Sequence, residues 1–124
     1  MFGKTRAFSG FSVNDLQEAK RFYGDTLGLT ASEENGLLTL HIAGDRDIVV
    51  YPKDNHVPAT YTTLNFPVED IDAAVDQLAE RGVRMERYEG FPQDEKGIMR
   101  GPEGPPIAWF TDPAGNILAV IQTA

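Results

Sequence analysis

The chain contains one short pattern twice, and this repeat is the feature that most constrains its fold. An apolar run, a Val-x-Asp and a stretch of helical spacing occur around Asp15 and again around Asp70. Each copy continues with a glycine, short apolar runs and a hairpin signal. A repeat of this length is one supersecondary unit, which cannot bury its own apolar face. The repeat predicts two βαβββ modules, about residues 5–55 and 60–124, with a cleft shared between their sheets.

Composition narrows the class of protein. The 124 residues suit a single domain with a real core, residues 1–124, and the absence of cysteine excludes disulfides and thiolate metal sites. A net charge of −8 argues against nucleic-acid binding, which needs clustered cations. No apolar run is long enough for a membrane span. Met1-Phe2-Gly3-Lys4 leads directly into a strand, with no apolar signal region before it. We therefore expect a cytoplasmic protein with no membrane contact.

Local patterns place the elements. The spacing of apolar residues predicts strands over 7–13, 29–33, 37–43, 48–51, 61–68, 83–88, 107–111 and 117–122. Asp15, with Glu18 completing a capping box, and Asp70 predict two helix starts. The turns are predicted at Asn35-Gly36, at Gly44-Asp45 and at Asp112-Pro113-Ala114-Gly115.

The segment 91–106 is where the two modules differ, because only the second module contains it. Glycine and proline are too frequent here for a long regular element, and such a segment is usually functional or disordered. Its apolar residues Phe91, Ile98 and Met99 favour a lid over the cleft. An ordinary surface excursion is the alternative, and the carboxylates of Asp94, Glu95 and Glu103 then face solvent.

The order of these motifs resembles a known superfamily. The residues that carry the resemblance are Val13, Asp15, Leu16, Phe22, Tyr23, Leu27-Gly28-Leu29 and the run from Trp109 to Asn116. In this order and spacing the chain resembles the vicinal oxygen chelate superfamily, which includes glyoxalase I, bleomycin-resistance proteins and extradiol dioxygenases. The resemblance implies an α+β fold in which two βαβββ modules form a cup-shaped open barrel, commonly in a homodimer.

The resemblance also implies four positions for metal ligands, which here hold Phe8, Val49 (or its neighbour Val50), Thr63 and Ala119. A divalent cation needs imidazole or carboxylate donors that converge on one point. These side chains provide at most a weak hydroxyl, so the resemblance implies a metal-free branch with no cofactor.

Other titratable residues do not suggest a replacement site. His41 and His56 share no ligand spacing, and we expect surface or half-buried structural roles for both. No serine or threonine has an evident histidine and carboxylate relay, so we name no catalytic residue.

A strand period of two, counted from the former ligand positions, predicts which side chains line the cleft. The expected ligand-binding residues are Phe8, Ser12, Val49, Tyr51, Thr63, Asn65, Trp109 and Ala119. This mainly apolar set with a few polar groups suits a small-molecule pocket. The alternative is that these side chains fill the interior as ordinary core.

Three hypotheses follow for function. The first is a metal-free glyoxalase or bleomycin-resistance-like protein that binds a hydrophobic or aromatic small molecule, with antibiotic sequestration as one role. The second is a superfamily enzyme of lyase, isomerase or dioxygenase type that acts without the metal, with Tyr51 or a lid carboxylate as acid or base. The third is a degenerate member with a filled pocket. The lack of titratable groups in the inferred cleft favours the first.

Overall fold

The structure is a computed structural model that describes residues 1–102 and 104–123. Glu103, one of the carboxylates in the predicted lid, lies outside the described residues. The chain divides into two compact units, Met1–Val57 and Pro58–Ala124, and each unit has its own sheet.

The first unit has the predicted βαβββ order. Its elements are β1 (Ser9–Val13), α1 (Leu16–Lys20) with a π-helical continuation (Arg21–Thr26), β2 (Thr30–Glu34), β3 (Leu37–Ile42) and β4 (Arg46–Pro52). The sheet order is β1-β4-β3-β2, in which β1 runs parallel to β4 and the other neighbours are antiparallel. The repeat pattern therefore predicted this unit correctly.

Capping and a wide last turn shape the helix of the first unit. The Asp15 carboxylate accepts hydrogen bonds from the backbone N–H groups of Gln17 and Glu18, as the capping pattern predicted. Further on, Leu27 N–H donates to the Phe22 carbonyl at 2.9 Å, which is the π-helical spacing. The buried apolar side chains of this unit are Val13, Ala19, Tyr23, Leu38, Leu40 and Val50.

The two hairpin turns of this unit form where the sequence predicts them. Asn35 and Gly36 both have positive φ, at 55° and 77°, as a two-residue turn between strands of right-handed twist requires. This turn pairs Glu34 with Leu37 and thereby fixes the register of β2 against β3. Gly44 and Asp45, also at positive φ, join β3 to β4.

The second unit has one strand fewer than predicted. Its elements are β5 (Thr62–Val68), α2 (Ile71–Glu80), β6 (Ile107–Thr111) and β7 (Ile117–Gln122), with sheet order β5-β7-β6. The Asp70 carboxylate caps α2 by accepting from Ala73 N–H. The buried apolar side chains are Ile71, Val75, Leu78, Ile98, Ala108, Trp109, Phe110, Leu118, Ala119 and Val120. No helix in the described part of the chain is long and apolar enough to cross a membrane.

The strand predicted over 83–88 is not formed, so that prediction was wrong. The segment makes one backbone hydrogen bond to β6, from Glu86 N–H to the Trp109 carbonyl at 2.8 Å. Two further backbone groups bond to the Gln93 side chain, which accepts from Tyr88 N–H at 2.8 Å and donates to the Glu86 carbonyl at 2.9 Å. The amide of one side chain thus replaces the ladder that a further strand would supply.

Part of the segment 91–106 is an ordered turn. Asp94 Oδ1 accepts from the backbone N–H groups of Lys96 and Ile98, each at 2.9 Å, and Asp94 N–H donates to the Ile98 carbonyl at 2.9 Å. Met99 forms single β-bridges with Gln93 and Ile107. The Ile98 side chain is fully buried, whereas the Phe91 side chain is exposed. A lid role for this segment stays a prediction.

Loss of the Gln93 amide should destabilise the second unit. Gln93→Ala leaves Tyr88 N–H and the Glu86 carbonyl unpaired in a partly buried place, so urea unfolding should show a loss of about 1–3 kcal/mol. Gln77→Ala, on an exposed position of α2, is the matched control and should change stability by less than about 0.5 kcal/mol. Equal losses in the two variants would contradict this role for Gln93.

Candidate functional site

In the first unit, the predicted binding residues lie on one face of the sheet. Ser12 pairs with Tyr51 and Gly10 pairs with Val49 across the β1–β4 ladder. Neighbouring residues of a strand point to opposite faces, so the side chains of Ser12 and Val13 lie on opposite faces of the sheet. Val13 belongs to the buried core. Ser12, Val49 and Tyr51 therefore share the face that is turned away from that core.

Phe8 has a different position from the other predicted residues of this unit. It precedes the first residue of β1, and its side chain is 69 % exposed. Within the first unit it is therefore an apolar ring available for contact rather than a core residue.

The first unit also joins histidine to serine in two places. Ser12 Oγ lies 2.6 Å from His56 Nδ1. Ser32 Oγ lies 2.8 Å from His41 Nε2, and His41 Nδ1 lies 3.0 Å from Asp47 Oδ1. The second group has the order of a hydroxyl, imidazole and carboxylate relay, which the sequence analysis did not find.

Strand register brings this relay together. Ser32 pairs with Thr39, and Thr39 pairs with Val49, so all three side chains lie on the same face as Tyr51. His41 pairs with Asp47 one step along the sheet. The sequence contains a signal for the pairing of Ser32 with Thr39, namely the Asn35-Gly36 turn. A two-residue turn fixes how the strands on either side of it pair.

In the second unit, three predicted residues form one row across the sheet. Trp109 pairs with Ala119, and Ala119 pairs with Asn65. The Asn65 side chain is exposed, whereas Ala119 is fully buried. Thr63 lies near a register shift in β5, and its Oγ1 donates to the Ile117 carbonyl at 3.1 Å, so its hydroxyl is used within the fold.

Three aromatic rings meet at Trp109, and we call Tyr88, Phe91 and Trp109 the ring cluster. The Trp109 ring centroid lies 5.6 Å from that of Tyr88 and 5.3 Å from that of Phe91. The centroids of Tyr88 and Phe91 are 5.8 Å apart. These separations are those of favourable tilted and edge-to-face contacts. Trp109 is only 8 % exposed and Phe91 is 47 % exposed, so the accessible side of the cluster is Phe91.

Tyr88 is the member of the cluster that the sequence did not indicate. It falls within the strand predicted over 83–88, and strand periodicity alone does not indicate an aromatic contact. Burial raises the pKa of the Tyr88 phenol, and the negative charge of Glu86 raises it further. The hydroxyl therefore keeps its proton at neutral pH.

An ionic network holds the Asp94 turn against α2. Both carboxylate oxygens of Asp72 accept from Arg100 at 2.8 Å, and Asp94 Oδ2 accepts from Arg100 at 3.2 Å. Lys96 adds contacts to Asp76 at 3.1 Å and to Asp72 at 3.5 Å. The hydrogen bond from Arg100 is the main cause that lowers the pKa of Asp72. The segment is thus tied to the helix through charged side chains.

The residues at the family's metal positions do not fit a divalent cation. Phe8, Val49, Thr63 and Ala119 carry neither imidazole nor carboxylate. Among residues 1–102 and 104–123, no group of three or more His, Asp or Glu side chains is arranged to hold a metal ion. The donor chemistry of this chain therefore supports no step through a metal at these positions.

Comparisons of the sequence and the fold with known proteins point to the same family. The family model described as Glyoxalase/Bleomycin resistance protein/Dioxygenase superfamily matches residues 8–120. An uncharacterized protein of Bacillus subtilis strain 168, YraH, is 27 % identical in an alignment that covers 89 % of this chain and 91 % of YraH. The α+β fold class predicted from the sequence is confirmed by solved structures of this superfamily.

Two of these solved structures have names that refer to antibiotic binding or resistance. TnmS3, an antibiotic binding protein from Streptomyces sp. CB03234, has a TM-score of 0.67 and 25 % identity, with 98 % of each chain covered. FosX, a genomically encoded fosfomycin resistance protein from Listeria monocytogenes, has a TM-score of 0.73 and 16 % identity, with 95 % of this chain and 92 % of FosX covered. At this identity the likeness to FosX concerns the fold alone.

The ionic network should make the Asp94 turn sensitive to acid. Burial acts to raise the pKa of Asp94, but hydrogen bonds from Ile98, Arg100 and Lys96 outweigh it and hold the pKa below the ordinary 3.8. Because the native pKa is depressed, the stabilisation is fully present above the ordinary value and is lost as the pH falls through the native one. The amide proton shifts of Lys96 and Ile98 should therefore titrate with a midpoint below 3.8 in NMR spectra.

A pair of variants tests the cause of this shift. Arg100→Gln should move the midpoint upward, toward the ordinary value, because it removes the cation bonded to Asp94. Arg84→Gln removes an exposed cation of the same unit outside this network and should leave the midpoint unchanged. An unchanged midpoint in Arg100→Gln would show that Arg100 does not stabilise the carboxylate.

Proposed function

Because the chain belongs to the Glyoxalase/Bleomycin resistance protein/Dioxygenase superfamily, we propose that it binds a hydrophobic or aromatic small molecule without a metal ion. The observation that carries the proposal is the ring cluster, which places the only tryptophan of the chain beside Tyr88 and Phe91. Protein sites for such ligands combine apolar and aromatic walls with a few polar groups. The row of Trp109, Ala119 and Asn65 has this composition.

The chemistry of the row favours holding a ligand over transforming it. Trp109 contributes a large aromatic ring, its cross-strand neighbour Ala119 carries only a methyl side chain, and the exposed Asn65 amide can donate or accept hydrogen bonds. None of these groups is an acid or base at neutral pH. On the first unit, the face with Val49 and Tyr51 offers a further surface of mixed apolar and polar character.

A role in antibiotic sequestration is the most specific form of this proposal. Its support is the similarity to TnmS3, whose name describes an antibiotic binding protein and which is aligned over nearly its whole length. Sequestration needs a stable apolar site and no turnover, which agrees with the residues of the row. We propose a cytoplasmic location for this role.

A second candidate function is a metal-independent enzyme, and the Ser32, His41 and Asp47 relay favours it. If His41 Nδ1–H donates a hydrogen bond to Asp47, Nε2 can accept the Ser32 hydroxyl proton while Ser32 Oγ attacks the carbonyl carbon of an ester or amide. The imidazolium then gives that proton to the departing alcohol or amine, and water hydrolyses the acyl-serine. All three side chains are exposed on a sheet face. This exposure gives the relay little shielding from water, and the binding role is therefore the stronger proposal.

We also propose that the protein is a homodimer, since both units expose large apolar side chains. Among these are Phe2, Phe8 and Val57 in the first unit and Tyr61 in the second. Exposed apolar groups of this size are typical of interaction surfaces, and two-fold symmetry is the commonest arrangement of small oligomers. Light scattering coupled to size exclusion should give twice the 13.6 kDa mass of the chain at micromolar concentration. The mass of a single chain under these conditions would contradict the proposal.

A thermal-shift screen against planar aromatic antibiotics, with and without a chelator, tests the proposed function. Compounds that bind should raise the melting temperature equally in both conditions, because ligand binding to the native state stabilises it. Mass spectra of the same incubations should show the compounds unchanged, whereas a product would support the enzyme. Stabilisation that disappears with the chelator would contradict metal-free binding.

The same compounds test the place of Trp109 in the site. Trp109→Ala should weaken their binding about tenfold or more, and Trp109→Phe should weaken it less because a ring remains. Phe110→Leu is the matched control, since Phe110 is equally buried but lies on the opposite face of β6. It should leave affinity unchanged, and circular dichroism verifies that each variant folds. Unchanged affinity in Trp109→Ala would show that these compounds bind away from Trp109.

A further inference from the structure

The second unit buries a hydroxyl group that its own fold leaves without a partner. Within residues 1–102 and 104–123, Tyr88 Oη is the buried side-chain oxygen or nitrogen that has no hydrogen bond. Burial of an unpaired hydroxyl costs stability, so such a group in a native structure needs an explanation. The position of Tyr88 in the ring cluster supplies one.

Phe91 is the member of the cluster that can leave it. Its ring lies against both Trp109 and Tyr88, yet nearly half of the side chain is exposed. The backbone before it forms a tight turn, in which Phe91 N–H donates to the Tyr88 carbonyl at 3.1 Å and Gly90 has φ 87°. Rotation of the Phe91 side chain uncovers Trp109 and breaks no hydrogen bond of the core.

We propose that Phe91 holds the place of a ligand ring beside Trp109, and that Tyr88 Oη donates a hydrogen bond to a carbonyl oxygen carried by that ring. The inference rests on the proposed function and adds the chemical class of the ligand. That class is a planar aromatic ketone or amide without negative charge. On entry of such a ligand, its ring replaces the Phe91 ring and its carbonyl satisfies the buried hydroxyl.

The charges around Tyr88 select a neutral acceptor. The negative charge of Glu86 acts on the phenol and, after burial, helps to raise its pKa, and Glu86 Oε1 is 3.4 Å from Thr111 Oγ1 on β6. A negative charge at this place repels an anionic ligand, and the net charge of −8 acts in the same direction. The phenol keeps its proton and can donate it to an uncharged oxygen.

A ligand-free measurement tests the first half of the inference. Tyr88→Phe removes the unpaired hydroxyl and keeps the ring, so the melting temperature of the free protein should stay the same or rise. Tyr61→Phe is the control, because that side chain is exposed and its hydroxyl is solvated. A clear fall in the melting temperature of Tyr88→Phe alone would show that the hydroxyl has a partner in solution, and would overturn the inference.

A matched pair of probes tests the second half. The compounds 2-acetylnaphthalene and 2-ethylnaphthalene have nearly the same shape, but only the first has a carbonyl. Because the chain has one tryptophan, the indole N–H signal in a ¹⁵N NMR spectrum reports on Trp109 alone. The wild-type protein should bind the acetyl probe about fivefold more tightly than the ethyl probe, as one hydrogen bond of ordinary strength provides. Tyr88→Phe should abolish this preference and leave the affinity for the ethyl probe unchanged.

The outcomes separate this inference from the proposed function. Phe91→Ala should bind both probes more tightly by a common factor, because no ring has to be displaced. If both probes bind the wild-type protein equally, or if the preference persists in Tyr88→Phe, the inference fails and the aromatic site stands. If neither probe shifts the indole signal in the wild-type protein or in Phe91→Ala, the inference fails, and the proposed role of Trp109 fails with it.

Discussion

The buried carboxylate of Asp112 is the interaction on which the geometry of the second unit depends. Only 4 % exposed, it accepts from the backbone N–H groups of Ala114 and Asn116 and from the Asn116 side chain, at 2.8 to 3.0 Å. These bonds close the turn between β6 and β7 and fix the pairing of Trp109 with Ala119. A slip of one residue in this register would turn Trp109 to the other face of the sheet. The carboxylate thus has a structural task, and the position of the tryptophan follows from it.

The ring cluster depends on a second set of local bonds. The segment before Phe91 reaches β6 through one backbone hydrogen bond, and the Gln93 side chain bonds to the Tyr88 N–H and to the Glu86 carbonyl. Turn bonds to Asp94 and its ion pair with Arg100 then join this region to the ionic network with α2. Side chains therefore position Tyr88 and Phe91 beside a tryptophan that is itself held by a regular ladder. Within the cluster the Phe91 ring is the exposed member, whereas Trp109 is buried.

Much of the fold could be predicted from the sequence because short-range chemistry determines it. The caps at Asp15 and Asp70 and the turn at Asn35-Gly36 act within a few residues, and the structure confirms all three. Short-range chemistry could not decide whether residues 83–88 form a strand. Their apolar pattern suits a strand, but a strand also needs a partner ladder, and here the Gln93 side chain takes that place. Such a substitution depends on tertiary contacts that periodicity does not contain.

The candidate site could be predicted only in part, for the same reason. The alternation of strand residues indicated that Ser12 and Tyr51 share a face, and the ladder between β1 and β4 agrees. Contacts that join separate segments were missed, including the Ser32 to His41 pair and the ring of Tyr88 beside Trp109. The first follows from hairpin register, which the sequence contains in its turns. The second depends on an irregular segment, for which the sequence offers no comparable rule.

Binding of an aromatic ligand at the ring cluster without a metal ion can be observed through nuclear Overhauser contacts between 2-acetylnaphthalene and the isotope-labelled protein in chelator-treated buffer. We predict contacts from the naphthalene protons to the indole ring of Trp109 and to the ring of Tyr88. Contacts confined to residues outside the ring cluster, or binding that appears only after a divalent cation is added, would contradict it.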